Sequence, residues 1–128
     1  MLDRCKSELR DKVIVVPEKI GGEEVITVGT GAFYENEAEA IVLPDTVRVI
    51  EESAFLGCEN LKYVYLGAGL KETGYIMFSA CKSIEKIEIP EGVEKVNGMI
   101  AFNCPSLTSL SQEITRFYKR RDELYLLF

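Results

Sequence analysis

The chain has 128 residues, enough for one domain with its own core. Apolar residues make up 47% of it and the formal charge is -6, from 15 basic and 21 acidic side chains. That balance argues against nucleic acid or an anionic membrane as the main partner, and the absence of histidine removes Ser-His-Asp and Cys-His catalysis and Cys2His2 zinc together.

The chain opens with "MLDRCKSELRDK", charged throughout and lacking the apolar run of a secretory signal. The expectation is a cytoplasmic protein if the chain is full length, or a piece of an exported parent. No stretch approaches the ~20 apolar residues of a membrane span. Leu2, Cys5 and Leu9 fall at i, i+3 and i+7, which predicts a short helical cap over residues 1–12. A degenerate repeat is the rival reading, because "CKS" at 5–7 recurs at 81–83.

From residue 13 to 110 one period governs the sequence. Cys58, Cys81 and Cys104 are 23 apart in both steps, and Ala38, Leu61, Ile84 and Leu107 keep that step three times. Pro44, Gly67 and Pro90 share it, as do Val47, Leu70 and Val93, and Ile50, Thr73 and Val96. Phe33, Phe55, Phe78 and Phe102 are spaced 22, 23 and 24, and are expected to plug successive units. Within a unit, Leu61-x-x-Val64-x-Leu66 matches Ile84-x-x-Ile87-x-Ile89 and Ala38-x-x-Ile41-x-Leu43. The alternation predicts a short strand with one face inward. Proline then ends the strand, since it cannot donate to a ladder. A single unit cannot bury its own apolar face, so the units must stack.

Residues 111–128, "SQEITRFYKRRDELYLLF", predict a helical C-terminal cap, with Ile114, Phe117, Tyr118 and Tyr125 on one side and Arg116, Lys119, Arg120 and Glu123 on the other. The apolar "YLLF" end suits either the last coil or a dimer contact.

The spacing is that of leucine-rich repeats. The units "AEAIVLPDTVRVIEESAFLGC" at 38–58 and "IEKIEIPEGVEKVNGMIAFNC" at 84–104, with "GGEEVITVGTGAF" at 21–33 as an opening unit, resemble the BspA-like leucine-rich repeat family. The resemblance implies a repeat solenoid, mostly β with short turns and helical caps, in a right-handed coil of about four repeats forming a single domain over 1–128. It also implies a bacterial surface or secreted setting, with attachment to host matrix or cells. Departures from the pattern are Gly67 for proline, Thr73 for an aliphatic residue, Met77 before Phe78, and a first unit with Glu35 or Asn36 where cysteine is usual.

The cysteines invite chemistry, but three stacked thiols cannot all pair within their column. Reduced thiols packed as small hydrophobes are the expected state, with a disulfide through Cys5 as a minor alternative. No C-x-x-C pair suggests a metal. The pairs Glu23-Glu24 and Glu51-Glu52 point to opposite faces of an extended chain and read as solvated turn charges. "GAG" at 67–69 lacks the Lys and Ser/Thr of a phosphate loop. No catalytic residue, cofactor or metal is expected.

With Ile41, Val64 and Ile87 inward, the neighbouring positions face out. One outward row is Val15, Val42, Tyr65 and Glu88, and the next is Val13, Ala40, Tyr63 and Lys86. An apolar and aromatic patch on a strand face suits protein contact. Val15, Val42, Tyr63, Tyr65, Lys86 and Glu88 are therefore the candidate protein-binding residues, for another protein or for a second copy in a homodimer. The expected role is a non-enzymatic interaction scaffold; the alternative is a structural spacer or accessory domain of a larger protein or enzyme.

Overall fold

The structure is a computed structural model that describes residues 12–110. Both expected helical caps lie outside the described residues. Eleven short strands follow in order: β1 (Val13–Val15), β2 (Lys19–Ile20), β3 (Glu23–Glu24), β4 (Thr27–Val28), β5 (Ala40–Val42), β6 (Val49–Ile50), β7 (Tyr63–Tyr65), β8 (Glu72–Thr73), β9 (Lys86–Ile87), β10 (Lys95–Val96) and β11 (Ser109–Leu110). No helix occurs among the described residues.

Alternate strands go to different walls of the coil. Strands β1, β5 and β7 form one parallel sheet, and β4, β6, β8 and β10 form another. Strand β9 pairs with β11, also in parallel. Parallel neighbours one coil apart are what a repeat of fixed length produces, because each residue meets its own counterpart. Thus Ile41 lies opposite Val64, and Val28 opposite Ile50. The turn segments form a third rank of bonds: the N–H groups of Phe33, Phe55 and Phe78 donate to Ala54, Met77 and Ile100 carbonyls at 2.7, 2.8 and 2.7 Å.

The columns read from the sequence become the core. Ile41, Val64 and Ile87, then Leu43, Leu66 and Ile89, then Val47, Leu70 and Val93 are all buried. Phe33 stacks on Phe55 with ring centroids 5.4 Å apart, and Phe55 on Phe78 at 4.9 Å. Offset contact of this kind adds about 0.5–1.5 kcal/mol per pair to the area buried.

Phe102 does not continue the stack. It is 52% exposed, and Ala101 is buried in its place. The Phe78 N–H bonds to the Ile100 carbonyl, just as that of Phe55 bonds to Met77. Ala101 is therefore the residue in register with Phe78. The 24-residue step to Phe102 already departs from the period, and backbone register prevails over residue identity.

Thr73 fits an aliphatic column because its polar atoms are partnered. The Asn97 N–H donates to its hydroxyl at 3.3 Å, and the Asn97 amide donates to its carbonyl at 2.6 Å. Among the described residues no buried side-chain N or O lacks a partner. Gly67 replaces proline for a backbone reason. Its φ is +84°, closed to proline, and a Cβ there would collide with the Pro44 carbonyl. The first coil is longer than the others because β2 and β3 form an antiparallel hairpin. Gly21 and Gly22, at φ 60° and 85°, make the turn, matching a two-residue turn with both φ positive.

Two further columns are conformational. Gly31, Ser53, Ile76 and Met99 all have positive φ, and so do Glu35, Gly57, Ala80 and Asn103. Each coil thus takes two left-handed residues to turn its corner, whichever side chain stands there. That conformation costs a non-glycine residue roughly 1–2 kcal/mol.

Two predictions follow from packing and strain. Ile87→Glu, a charge at a fully buried position, should cost about 4 kcal/mol or more and unfold the array; unchanged melting would mean that the inward register is wrong. Ala80→Gly should raise stability by about 0.5–1 kcal/mol in denaturant titration, the left-handed strain relieved less the added chain entropy. A lower midpoint would show that this corner carries no strain.

Candidate protein-contact surface

The sheet of β1, β5 and β7 positions the candidate residues. Inward pointing of Ile41 and Val64 turns Val13, Val15, Tyr63 and Tyr65 outward, because side chains alternate along a strand. Register then aligns Val13 with Ala40 and Tyr63, and Val15 with Val42 and Tyr65. Val15 is 67% exposed, Tyr63 52% and Tyr65 38%, while Val42 is half-buried between its neighbours.

Lys86 and Glu88 follow on the next coil, where β9 packs beside β7. Strand β9 pairs with β11 and is not part of the β1-β5-β7 sheet. The Lys86 ammonium lies 2.6 Å from the Glu88 carboxylate, and that contact holds the Lys86 pKa above its ordinary value. Both side chains are well exposed, so the pair adds little stability. The structure brings together Val15, Val42, Tyr63 and Tyr65, and places Lys86 and Glu88 as a charged border.

Two features of the surface are not visible in the repeat columns. Asp45 tethers Tyr65: the tyrosine hydroxyl donates to Asp45 Oδ1 at 2.8 Å, and the Ala68 N–H donates to the same oxygen at 2.7 Å. The Ala68 N–H first, and the Tyr65 hydroxyl second, hold the Asp45 carboxyl below the usual carboxylate range. Asp45 in turn raises the Tyr65 hydroxyl pKa. The only signal in the sequence is the Pro44-Asp45 turn dipeptide after β5. At the opposite border Glu39 bridges Lys62 at 3.3 Å and Lys12 at 3.4 Å, and Lys62 chiefly keeps its carboxyl acidic. The aromatic patch therefore sits between an ion-paired row and a hydrogen-bonded Asp–Tyr edge.

Elsewhere, Glu35, Asn36, Glu37, Gly57, Glu59, Asn60 and Ala80 line an open depression of about 460 Å³. Its lining is acidic, with three glutamates and two asparagines. Among the described residues no group of His, Cys, Asp and Glu could hold a metal ion, and no helix is long and apolar enough to cross a membrane.

The cysteine column has its own geometry. Cys58, Cys81 and Cys104 are free thiols. Each donates to the phenylalanine carbonyl one coil back: Cys58 to Phe33 at 3.0 Å, Cys81 to Phe55 at 3.1 Å and Cys104 to Phe78 at 3.0 Å. In the first unit Asn36 takes the cysteine position, since Glu35 is in register with Gly57, and it accepts the Ala38 N–H at 2.8 Å.

A family profile described as "BspA type Leucine rich repeat region" matches residues 26–119, in six copies. Among solved structures, a leucine-rich repeat protein from Bacteroides capillosus is 26% identical, with a TM-score of 0.72 over 78% of this chain and 75% of its own. A leucine-rich repeat protein from T. pallidum is 27% identical, with a TM-score of 0.58 over 77% of this chain and 57% of its own. One from Bacteroides ovatus is 26% identical, with a TM-score of 0.55 over 82% of this chain and 34% of its own. The chain thus spans three quarters of the first and about a third of the last. No curated protein matches.

The Asp45 tether gives a pH prediction. The folded pKa of Asp45 is depressed, so its stabilisation is present above the unfolded pKa and is lost as pH falls through the folded value. Asp45→Asn should flatten the acid limb of the stability curve relative to the parent chain. Superimposable acid limbs, followed by thermal melting between pH 2 and 7, would remove Asp45 as a contributor.

Proposed function

Because the chain belongs to the BspA-type leucine-rich repeat family, we propose that it is a non-enzymatic scaffold that binds another protein through the outward face of β1, β5 and β7. The observation that carries this reading is the pair of aligned outward rows, Val13-Ala40-Tyr63 and Val15-Val42-Tyr65, on one parallel sheet. Such a face offers apolar area with little loss of side-chain freedom. Valine is stiff at χ1, and tyrosine joins a large ring to a polar tip. Asp45 further fixes Tyr65 before any partner arrives, which lowers the entropic cost of binding.

Lys86 and Glu88 serve as a polar rim in this reading. Each already satisfies the other, so they favour orientation over affinity. The family context extends the proposal to a partner in host matrix or on a cell surface, as in an adhesion-type bacterial protein. A second copy of the chain is the competing occupant, and a spacer with no partner is the competing role.

The test combines Tyr63→Ala and Tyr65→Ala. Central aromatic anchors dominate binding where they are used. The double variant should weaken capture of an immobilised matrix or cell-surface protein by about tenfold or more, with melting little changed. Tyr65→Phe separates loss of the ring from loss of the Asp45 bond. Sedimentation of the same variants reports self-association. Unchanged capture and unchanged sedimentation would sink the binding role and leave the spacer.

A further inference from the structure

We propose that Cys104 and Cys81 form a peroxide-oxidisable thiol pair, a modification site that joins the last two coils of the cysteine column by a disulfide.

The geometry is that of register neighbours. The Cys81 N–H bonds to the Phe78 carbonyl, and the Cys104 thiol donates to that same carbonyl at 3.0 Å, so both residues converge on one backbone oxygen. The Cys81 thiol in turn donates to the Phe55 carbonyl at 3.1 Å, so the two side chains take the same pose one coil apart. Neighbouring parallel segments lie about 4.8 Å apart, within the Cα separation of roughly 4.4–6.8 Å that a disulfide spans. Chain direction is the same in adjacent coils, so the two Cβ atoms lie side by side at about that spacing, and the bond draws the two corners together by a few tenths of an ångström to about 3.5–4.5 Å.

Exposure sets the order of reaction. Cys58 and Cys81 are fully buried, whereas Cys104 is half-buried. Cys104 is thus the thiol that a small hydroperoxide reaches first. Cys81 acts second, because it is fully buried and shielded from the oxidant.

The chemistry balances with hydrogen peroxide as the oxidant. The Cys104 thiolate, its proton lost to water, attacks one peroxide oxygen. An S–O bond forms, the O–O bond breaks, and the departing hydroxide takes up a proton to leave as water. The Cys81 sulfur then attacks the Cys104 sulfenic acid. An S–S bond forms, the S–O bond breaks, and the leaving hydroxide takes the Cys81 proton as a second water. Two thiols lose two electrons, and one peroxide becomes two waters.

The turn hydrogen bonds survive in the product. Oxidation removes the thiol bonds to the Phe55 and Phe78 carbonyls. Phe55 O still accepts the Cys58 N–H at 3.3 Å, and Phe78 O still accepts the Cys81 N–H at 3.2 Å. Neither buried carbonyl is left without a donor. The bond also closes the loop between two coils at the C-terminal side of the array, which restricts the unfolded chain.

The experiment treats the folded full chain with one equivalent of hydrogen peroxide, blocks remaining thiols under denaturing conditions, and maps tryptic peptides without reduction. Cleavage after Lys71, Lys82, Lys95 and Arg116 puts Cys81 in residues 72–82 and Cys104 in residues 96–116; Cys58 falls in residues 49–62. The expected result is a 72–82 to 96–116 crosslinked peptide, short of two hydrogens, with Cys58 fully alkylated. The oxidised chain should melt higher than the reduced chain and revert with dithiothreitol. Cys104→Ser should abolish the crosslink and leave Cys81 and Cys58 unlinked. Sulfinic or sulfonic acid at Cys104 with no linked peptide would overturn the proposal. A Cys58–Cys81 link, or one through Cys5, would do the same.

Discussion

Successive coils of this protein are joined by hydrogen bonds that recur at equivalent places along the turn. That constraint sets everything else. A backbone group in one coil meets its counterpart in the next, so strands pair in parallel, side chains stack in columns, and the polar atoms of the turns are partnered without help from helices. Where residue identity and backbone register disagree, register prevails. Phe102 sits one place past the column of Phe55 and Phe78, and it is left in solvent while Ala101 takes the buried position.

The same constraint explains the residues that look out of place. Thr73 lies in an aliphatic column and brings Asn97 as its partner. Gly67 stands where the other units have proline, because its backbone turns left-handed against the Pro44 carbonyl. Ile76 and Ala80 carry positive φ that the corner demands of every coil. The thiols of the cysteine column hold each phenylalanine turn against the one before it. A residue type repeated at one period first answers a packing need, and a function for it has to come from something that differs between copies. Here that difference is exposure, which singles out Cys104.

The surface is set by the positions that the core does not use. The inward column of Ile41 and Val64 leaves the alternate positions of β5 and β7 free to vary, and in this chain they are valine, alanine and tyrosine. Asp45 and Glu39 border them with hydrogen bonds and ion pairs that order the surface around the patch. The result is a firm apolar face on a repeat scaffold.

Periodicity in the sequence was enough to determine the coil, the inward columns and the outward rows, because a 23-residue step repeated in independent columns admits one stacking register. The alignment of Val42 with Tyr65 and of Ala40 with Tyr63 was legible for the same reason, while Val13 and Val15 join those rows across a longer first coil. The tertiary structure alone decided the rest, since those features depend on contacts between coils at particular backbone angles. It showed that Asn36 takes the first cysteine position and that Phe102 leaves the stack. It showed Gly21 and Gly22 turning an added hairpin, and Asp45 reaching across to Tyr65. It paired the Lys86 strand with β11 and not with the sheet that holds the tyrosines. A repeat pattern specifies which residues are equivalent; hydrogen-bond geometry and left-handed corners specify how each copy departs from the others.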